Sequence, residues 1–348
     1  MFQQEGNLFY QNTCIDYSAN INFLGIPDAV MEAARSGLVA AMLEVQEHPG
    51  ALNEHVAAWE GVEPQQVYCG VGPSEIIRNL MWVLRPKKAL LPTPGFEEYL
   101  RALSMAQCGI DYFYTKQEDG FRAPVEEFLT HITQETDVVF WCNPNNPAAV
   151  LYSREEVKQV LQRCEQTGTL LVLDECCLDF VECAEDVTMR SKDASRLLFI
   201  VKEFTRMFAM PGIRLGYGLC TDQELMGKLR SAVQMCNLSA VAQKAGIACT
   251  GEREFVQKTV QEVARERAWL LEELHRIGIT QARGEANIIF FQSRPKLHAF
   301  SVMHGILLRD CSNFEGLAEG WYRIAVRGRE ENKKLVEMLE QWQQEAVQ

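Results

Sequence analysis

The sequence predicts an α/β fold in which a mostly parallel sheet lies between helices, joined to a smaller α+β part. Three observations carry that prediction. Runs of continuous apolar character recur through the middle of the chain, at 88–91, 137–141, 170–174 and 197–201; strands apolar on both faces belong to sheets covered on both sides. Stretches with helical apolar spacing lie between or just before these runs, at 74–84, 97–105 and 153–167, and strand–helix alternation of this kind builds a parallel sheet. The pattern then changes. Residues 252–277 read as a long, charged, amphipathic helix, followed by short strand candidates at 287–292 and 322–326 and a closing helix over 330–344. The expected division is a large domain over 30–245 and a small domain made of 1–29 and 246–348.

Composition narrows the function classes. A chain of 348 residues is long enough to bury a large core. Its net charge of −13 argues against a surface for nucleic acid or anionic membrane. No apolar run approaches the roughly 18 residues of a membrane span, and Met1–Gly6 lacks the basic and apolar regions of a signal peptide. None of the twelve cysteines falls in a C-x-x-C pair, and Cys142, Cys176, Cys177 and Cys220 lie in or beside apolar strand-like runs. This reads as buried thiols in a reducing compartment, with no structural metal and a cytoplasmic location.

Chemistry-bearing residues cluster where such sheets bind ligands, just beyond the carboxyl ends of the strands. Gly70-Val71-Gly72-Pro73-Ser74 ends a strand-like run and opens a helix. A glycine turn feeding a helix N-terminus offers N–H groups and a favourable dipole to a phosphate, and proline suits the first helical turn. Pro92-Thr93-Pro94-Gly95-Phe96 places an aromatic at a helix start, Asn143-Pro144-Asn145-Asn146-Pro147 follows one strand, and Asp174 closes another. Phe204-Thr205-Arg206 precedes a short apolar run, with Arg214 eight positions after Arg206, and Arg323 lies in the strand candidate near the end. Singly, each has an ordinary explanation: a core aromatic, an Asn/Pro loop, a helix-capping aspartate, a surface salt bridge.

In this order, the motifs resemble the fold-type-I pyridoxal-phosphate (PLP) enzymes of the class I/II aminotransferase superfamily. Within it, Asp16–Asn22, Leu91–Tyr99, Leu308–Leu317 and Tyr322–Arg327 are most similar to the threonine-phosphate decarboxylases of cobalamin biosynthesis, and next to the histidinol-phosphate aminotransferases. The resemblance implies the fold-type-I PLP-transferase fold, PLP as cofactor, a homodimer, and an amino-acid substrate that is phosphorylated. It also implies roles. Gly72, Pro73, Ser74 and Arg214 would hold the cofactor phosphate, with Thr205 beside them in the cofactor site. Phe96 would stack on the pyridine ring, a contact worth roughly 0.5–1.5 kcal/mol beyond area burial. Asn146 would bond the phenolic oxygen, and Asp174 would keep the ring nitrogen protonated. Arg323 would grip the substrate α-carboxylate, Arg309 its phosphate, and Asn22 would join the substrate site.

The departures bear on activity. Where the family carries its lysine, this chain has Arg206. A lysine amine can lose its proton and form a Schiff base with the cofactor aldehyde; a guanidinium stays protonated. Gln4-Glu5-Gly6-Asn7 stands where the decarboxylases have His-Gly-Gly-Asn, Ala148-Ala149 replaces Thr-Gly, and Cys177 replaces an aromatic. His48 stands for a tyrosine that reaches the partner subunit's cofactor phosphate. Glu203 replaces a serine or alanine, putting a carboxylate near the phosphate unless it points away or pairs with Arg206. Lys202 is the nearby amine, but a register change would be needed to bring it to the place of Arg206. Two readings follow. One is an enzyme acting on an amino acid, with Arg206 and Asp174 in the catalytic positions. The other is a non-catalytic ligand-binding or partner protein.

Overall fold

The computed structural model describes residues 14–43, 50–190, 195–232 and 237–345. After a two-residue β1 (Ile15–Asp16), the main sheet takes β2 (Val67–Gly70), β3 (Lys88–Thr93), β4 (Gly109–Tyr114), β5 (Val138–Cys142), β6 (Leu170–Asp174), β7 (Leu198–Glu203) and β8 (Gly216–Leu219). Their order across the sheet is β2-β8-β7-β6-β5-β3-β4. Strands β3 to β7 pair parallel, while β8 runs antiparallel to both β7 and β2. The carboxyl ends of β2, β3, β5, β6 and β7 therefore share one edge.

Alternating side chains explain why both faces are covered. On β5, Val138 and Phe140 pack against α3 (Pro73–Leu84), α4 (Glu97–Met105) and the apolar side of 223–232, whereas Val139 and Trp141 belong to the other, larger cluster. On β7, Phe199 and Val201 take the first side, and Leu198 and Ile200 the second. The second face is covered by elements that include α2 (Gly50–Glu60), which follows α1 (Asp28–Leu43), and α5 (Arg154–Thr167). Helix α5 shows how local sequence sets an element. Ser153 accepts the Glu156 N–H while the Glu156 carboxylate accepts the Ser153 N–H at 2.8 Å, a reciprocal cap. Gly168, left-handed at φ +76°, ends the helix.

A smaller antiparallel sheet follows the helix α6 (Arg253–Arg276), with β9 (Arg283–Glu285), β10 (Ile288–Gln292), β12 (Arg309–Asp310) and β13 (Trp321–Ala325) in the order β12-β13-β10-β9. Strand β11 (Ile306–Leu307) pairs parallel with β1. The Ala325 N–H donates to the Tyr17 carbonyl at 2.8 Å, tying this sheet to the chain's early segment. The chain closes with α7 (Arg329–Glu345).

Two strands of the main sheet are absent from the sequence reading. β4 is an edge strand whose residues are mostly half-exposed or exposed, so it lacks a continuous apolar run. β8 reads Gly-Tyr-Gly-Leu, and Gly218 is there because the Phe199 ring occupies the space of a Cβ, within 2.3 Å. It is antiparallel because residues 204–215 turn the chain straight back without a crossover helix.

Candidate functional site

A cavity of about 510 Å³ opens at the shared carboxyl edge of the main sheet. Each strand delivers its contribution through the loop beyond it. Pro73 and Ser74 follow β2; Phe96, Glu98 and Arg101 follow β3; Cys142 and Asn146 come from β5 and its loop. Asp174, Cys176 and Cys177 come from β6, Glu203, Thr205 and Arg206 from β7, and Pro211 and Arg214 precede β8. Arg323 enters from β13, and residues 19–21 complete the wall.

Nine residues singled out in the sequence thus meet in one cavity: Pro73, Ser74, Phe96, Asn146, Asp174, Thr205, Arg206, Arg214 and Arg323. Gly72 lies just behind it, at φ +84°, where a Cβ would come within 2.7 Å of the Arg214 guanidinium. Asn22 is not in the lining. Its amide donates to the Met207 carbonyl at 2.8 Å and to Thr259 Oγ1 at 2.9 Å, and Asn20 and Ile21 line the cavity instead. Arg309 is also outside the lining; it donates to Asn313 at 3.0 Å, stacks over Phe314 and lies 3.9 Å from Glu97. His48 lies outside the described residues.

Arg101 and Glu98 were not anticipated. Their signal was positional: they stand two and five residues after Phe96, on the helix it opens. Cys142, Cys176 and Cys177, read as core thiols, border the cavity. Burial pushes all three thiols above the usual range, so they are poor nucleophiles at neutral pH.

Asp174 is buried and held from two sides. One carboxylate oxygen accepts the Cys176 N–H at 2.9 Å, and the other accepts the Tyr99 hydroxyl at 2.5 Å. Arg323 is buried with only neutral acceptors: Asn146 Oδ1 at 2.6 Å and the Ser18 carbonyl at 2.5 Å. Its Nε has no hydrogen-bond partner. Burial, reinforced by the neighbouring Arg309 and Arg206 charges, pushes this guanidinium down to about 10. A buried cation that faces a cavity and, among the described residues, pairs with no carboxylate is an anion-binding arrangement.

Arg206 has its partner. It forms an ion pair with Glu203, whose other oxygen accepts the Thr205 hydroxyl at 2.5 Å. Burial alone would lower its proton affinity, but the Glu203 carboxylate outweighs that and holds it above the usual value. Lys202 faces the other way, because successive strand residues alternate. Its amine, almost fully buried, lies 2.8 Å from Asp179 and 3.1 Å from Glu60. Glu60 also pairs with Arg190 at 2.7 Å and accepts the Tyr217 hydroxyl. Among the described residues, no lysine lines the cavity.

A doubly covered, mostly parallel sheet, a second small sheet and a ligand cavity at the strand ends define the fold-type-I architecture of PLP-dependent transferases. The family model "Aminotransferase class I and II" matches residues 12–339, and the chain belongs to that family. It is 29% identical over 333 residues to the threonine-phosphate decarboxylase of Salmonella typhimurium, covering 93% of this chain and 90% of that one. The crystal structure of the histidinol-phosphate aminotransferase from Clostridium acetobutylicum superposes with a TM-score of 0.88 at 26% identity, over 95% of this chain and 99% of that one. The L-threonine-O-3-phosphate decarboxylase structure from Porphyromonas gingivalis shares the fold, with a TM-score of 0.82 at 20% identity over 94% and 99% of the two chains. Among the described residues, no helix is long and apolar enough to cross a membrane.

The family's cofactor is pyridoxal phosphate, and the donor set here suits only part of it. A buried carboxylate, a buried amide and an aromatic side chain converge as a pyridine ring requires, in Asp174, Asn146 and Phe96. The ends do not match: among the described residues no amine lines the cavity for a covalent link, and the Glu203 carboxylate stands beside Thr205 and Arg206.

Proposed function

We propose that the cavity binds an amino acid together with a pyridine ring of the pyridoxal type, without a covalent bond to the protein, and that lysine-dependent transamination or decarboxylation is not its activity. The observation that carries this reading is the Arg206–Glu203 ion pair, with the neighbouring amine of Lys202 engaged by Asp179 and Glu60 on the opposite face of the sheet. In this reading Asp174 faces the ring nitrogen, Asn146 the phenolic oxygen and Phe96 the ring face. Ser74, Thr205 and Arg214 flank the ring's far end. Arg323 takes the α-carboxylate, supported by its burial and its unpartnered Nε.

Carried over from the names of the threonine-phosphate decarboxylases, the amino acid is a phosphorylated one. Arg101, in the lining, and Arg309, across Glu97 from it, are the cations on that side of the cavity. A cytoplasmic homodimer belongs to the same reading, and the exposed apolar residues Leu38, Val39 and Met42 on α1 support a self-association surface.

Incubation with pyridoxal, reduction with borohydride and intact-mass measurement tests the proposal. The expected result is no stoichiometric adduct on the native chain and a stoichiometric one on the Arg206→Lys variant, mapped to position 206. A stoichiometric adduct on Lys202 of the native chain overturns it.

A further inference from the structure

The far end of the cavity, where α3 begins, has the makings of an anion site. A helix N-terminus carries partial positive charge, and the Arg214 guanidinium packs against Gly72 beside it. Glu203 is close to that corner: it pairs with Gly216 across β7 and β8, and a Cβ on Gly216 would lie 3.1 Å from the Pro73 nitrogen.

Several of the donors at this corner are already engaged within the chain, while, among the described residues, those of Ser74 and two of the three Arg214 nitrogens are not. The Val71 N–H donates to the Glu75 carboxylate at 2.8 Å, so the first turn of α3 carries its own anion. The Gly72 N–H donates to the Gly70 carbonyl at 2.8 Å, and Pro73 has no N–H. Thr205 donates to Glu203, Arg206 is paired with the other oxygen of Glu203, and one Arg214 nitrogen donates to the Pro211 carbonyl at 3.1 Å. A phosphate brought here would meet the carboxylate of Glu203 and would displace the bonds that Thr205 and Arg206 already make to it. Like charges brought together at the edge of a buried site repel strongly. A hydroxyl would not: it donates to a carboxylate and accepts from a guanidinium.

We propose that this cavity selects an unphosphorylated hydroxymethylpyridine, the class of pyridoxine, pyridoxal and pyridoxamine, over its phosphate ester, and that Glu203 is the residue that decides. The inference rests on the ring placement proposed above. Glu203 acts here as a specificity determinant, with its Arg206 and Thr205 contacts holding the carboxylate in place.

Calorimetric titration of the purified protein with pyridoxine and with pyridoxine 5′-phosphate tests it; neither probe carries an aldehyde, so surface lysines stay out of the measurement. Pyridoxine is expected to bind at least tenfold more tightly than the phosphate. Glu203→Gln, which keeps the shape and removes the charge, is expected to shrink that ratio at least tenfold. Glu203→Ser, which also frees Arg206 and Thr205, is expected to favour the phosphate. Melting curves establish that each variant is folded, and the native ratio decides the question even where a variant is not. Equal or tighter binding of the phosphate by the native protein overturns this inference and leaves the ring placement standing. Binding of neither probe overturns the ring placement, and the inference with it.

Discussion

Replacing Lys202 by methionine should destabilise the protein by about 3–5 kcal/mol at pH 7, the usual cost of removing one partner from a buried charge pair. Lys202 Nζ lies 2.8 Å from Asp179 and 3.1 Å from Glu60, and the Lys202 side chain is 2% exposed. Methionine keeps most of the side-chain volume, so the loss is electrostatic rather than a cavity. The variant would leave Glu60, Asp179 and the nearby Glu175 carboxylate with Arg190 as their remaining cation. For a chain of 348 residues the entropy of unfolding is about 0.7 kcal/mol per degree, so the melting temperature should fall by about 4–7 °C. The pH dependence has a definite sign. Burial pushes the Glu60 carboxyl up, but Lys202 and Arg190 outweigh it and hold it below its usual value. Its stabilisation is therefore present above its unfolded value and lost as pH falls through the folded one. Lys202 is held above its usual value by Asp179 and Glu60 against the effect of burial, so its contribution persists until the solution is strongly alkaline. In the variant, protonating the orphaned carboxylates relieves the penalty. The gap between native protein and variant should be wide from neutral to moderately alkaline pH and should close as pH falls through the carboxylate range. Circular-dichroism melts across that range measure it. A loss below about 1 °C at pH 7, or a gap that widens on acidification, would refute the account of the cluster.

Three further outcomes are expected. Arg323→Met should weaken binding of O-phospho-L-threonine at least tenfold, the scale of about 1.5–3 kcal/mol for a hydrogen-bonded charge, and calorimetry at pH 8 checks it. Iodoacetamide at pH 7.5 should label the exposed Cys183 well before Cys176 and Cys177, whose thiols burial pushes up; equal rates by peptide mapping would contradict that. Ser153→Ala removes the cap of α5 and should cost about 1 kcal/mol in urea denaturation.

Much of the scaffold was legible because its chemistry repeats locally. β5, β6 and β7 announce themselves as continuous apolar runs, since both faces of each strand are covered. Helix α5 is bracketed by Ser153 and Gly168, which act on their own neighbours in the chain. β4 and β8 were not legible, for opposite reasons: one is an edge that water partly covers, the other a glycine-rich strand whose spacing answers to the Phe199 ring. At the cavity, the residue types were visible but their company was not. Arg309 and Arg101 are both arginines near aromatic motifs, yet Arg101 lines the cavity and Arg309 does not.

The sequence by itself determined the layering of the fold, the order in which the strand-end loops arrive, and the presence of a guanidinium at position 206. These follow from periodicity and residue chemistry, which act over a few neighbouring residues. The tertiary structure decided which charges meet. Glu203 faces the cavity and joins Arg206, while Lys202, its neighbour in the chain, faces α2 and joins Glu60. Strand alternation separates the two side chains, but only the packing of α2 on one face and α3 on the other assigns each its surroundings. Partners so distant in sequence are set by how the layers pack, because the energy of a buried charge depends on everything around it.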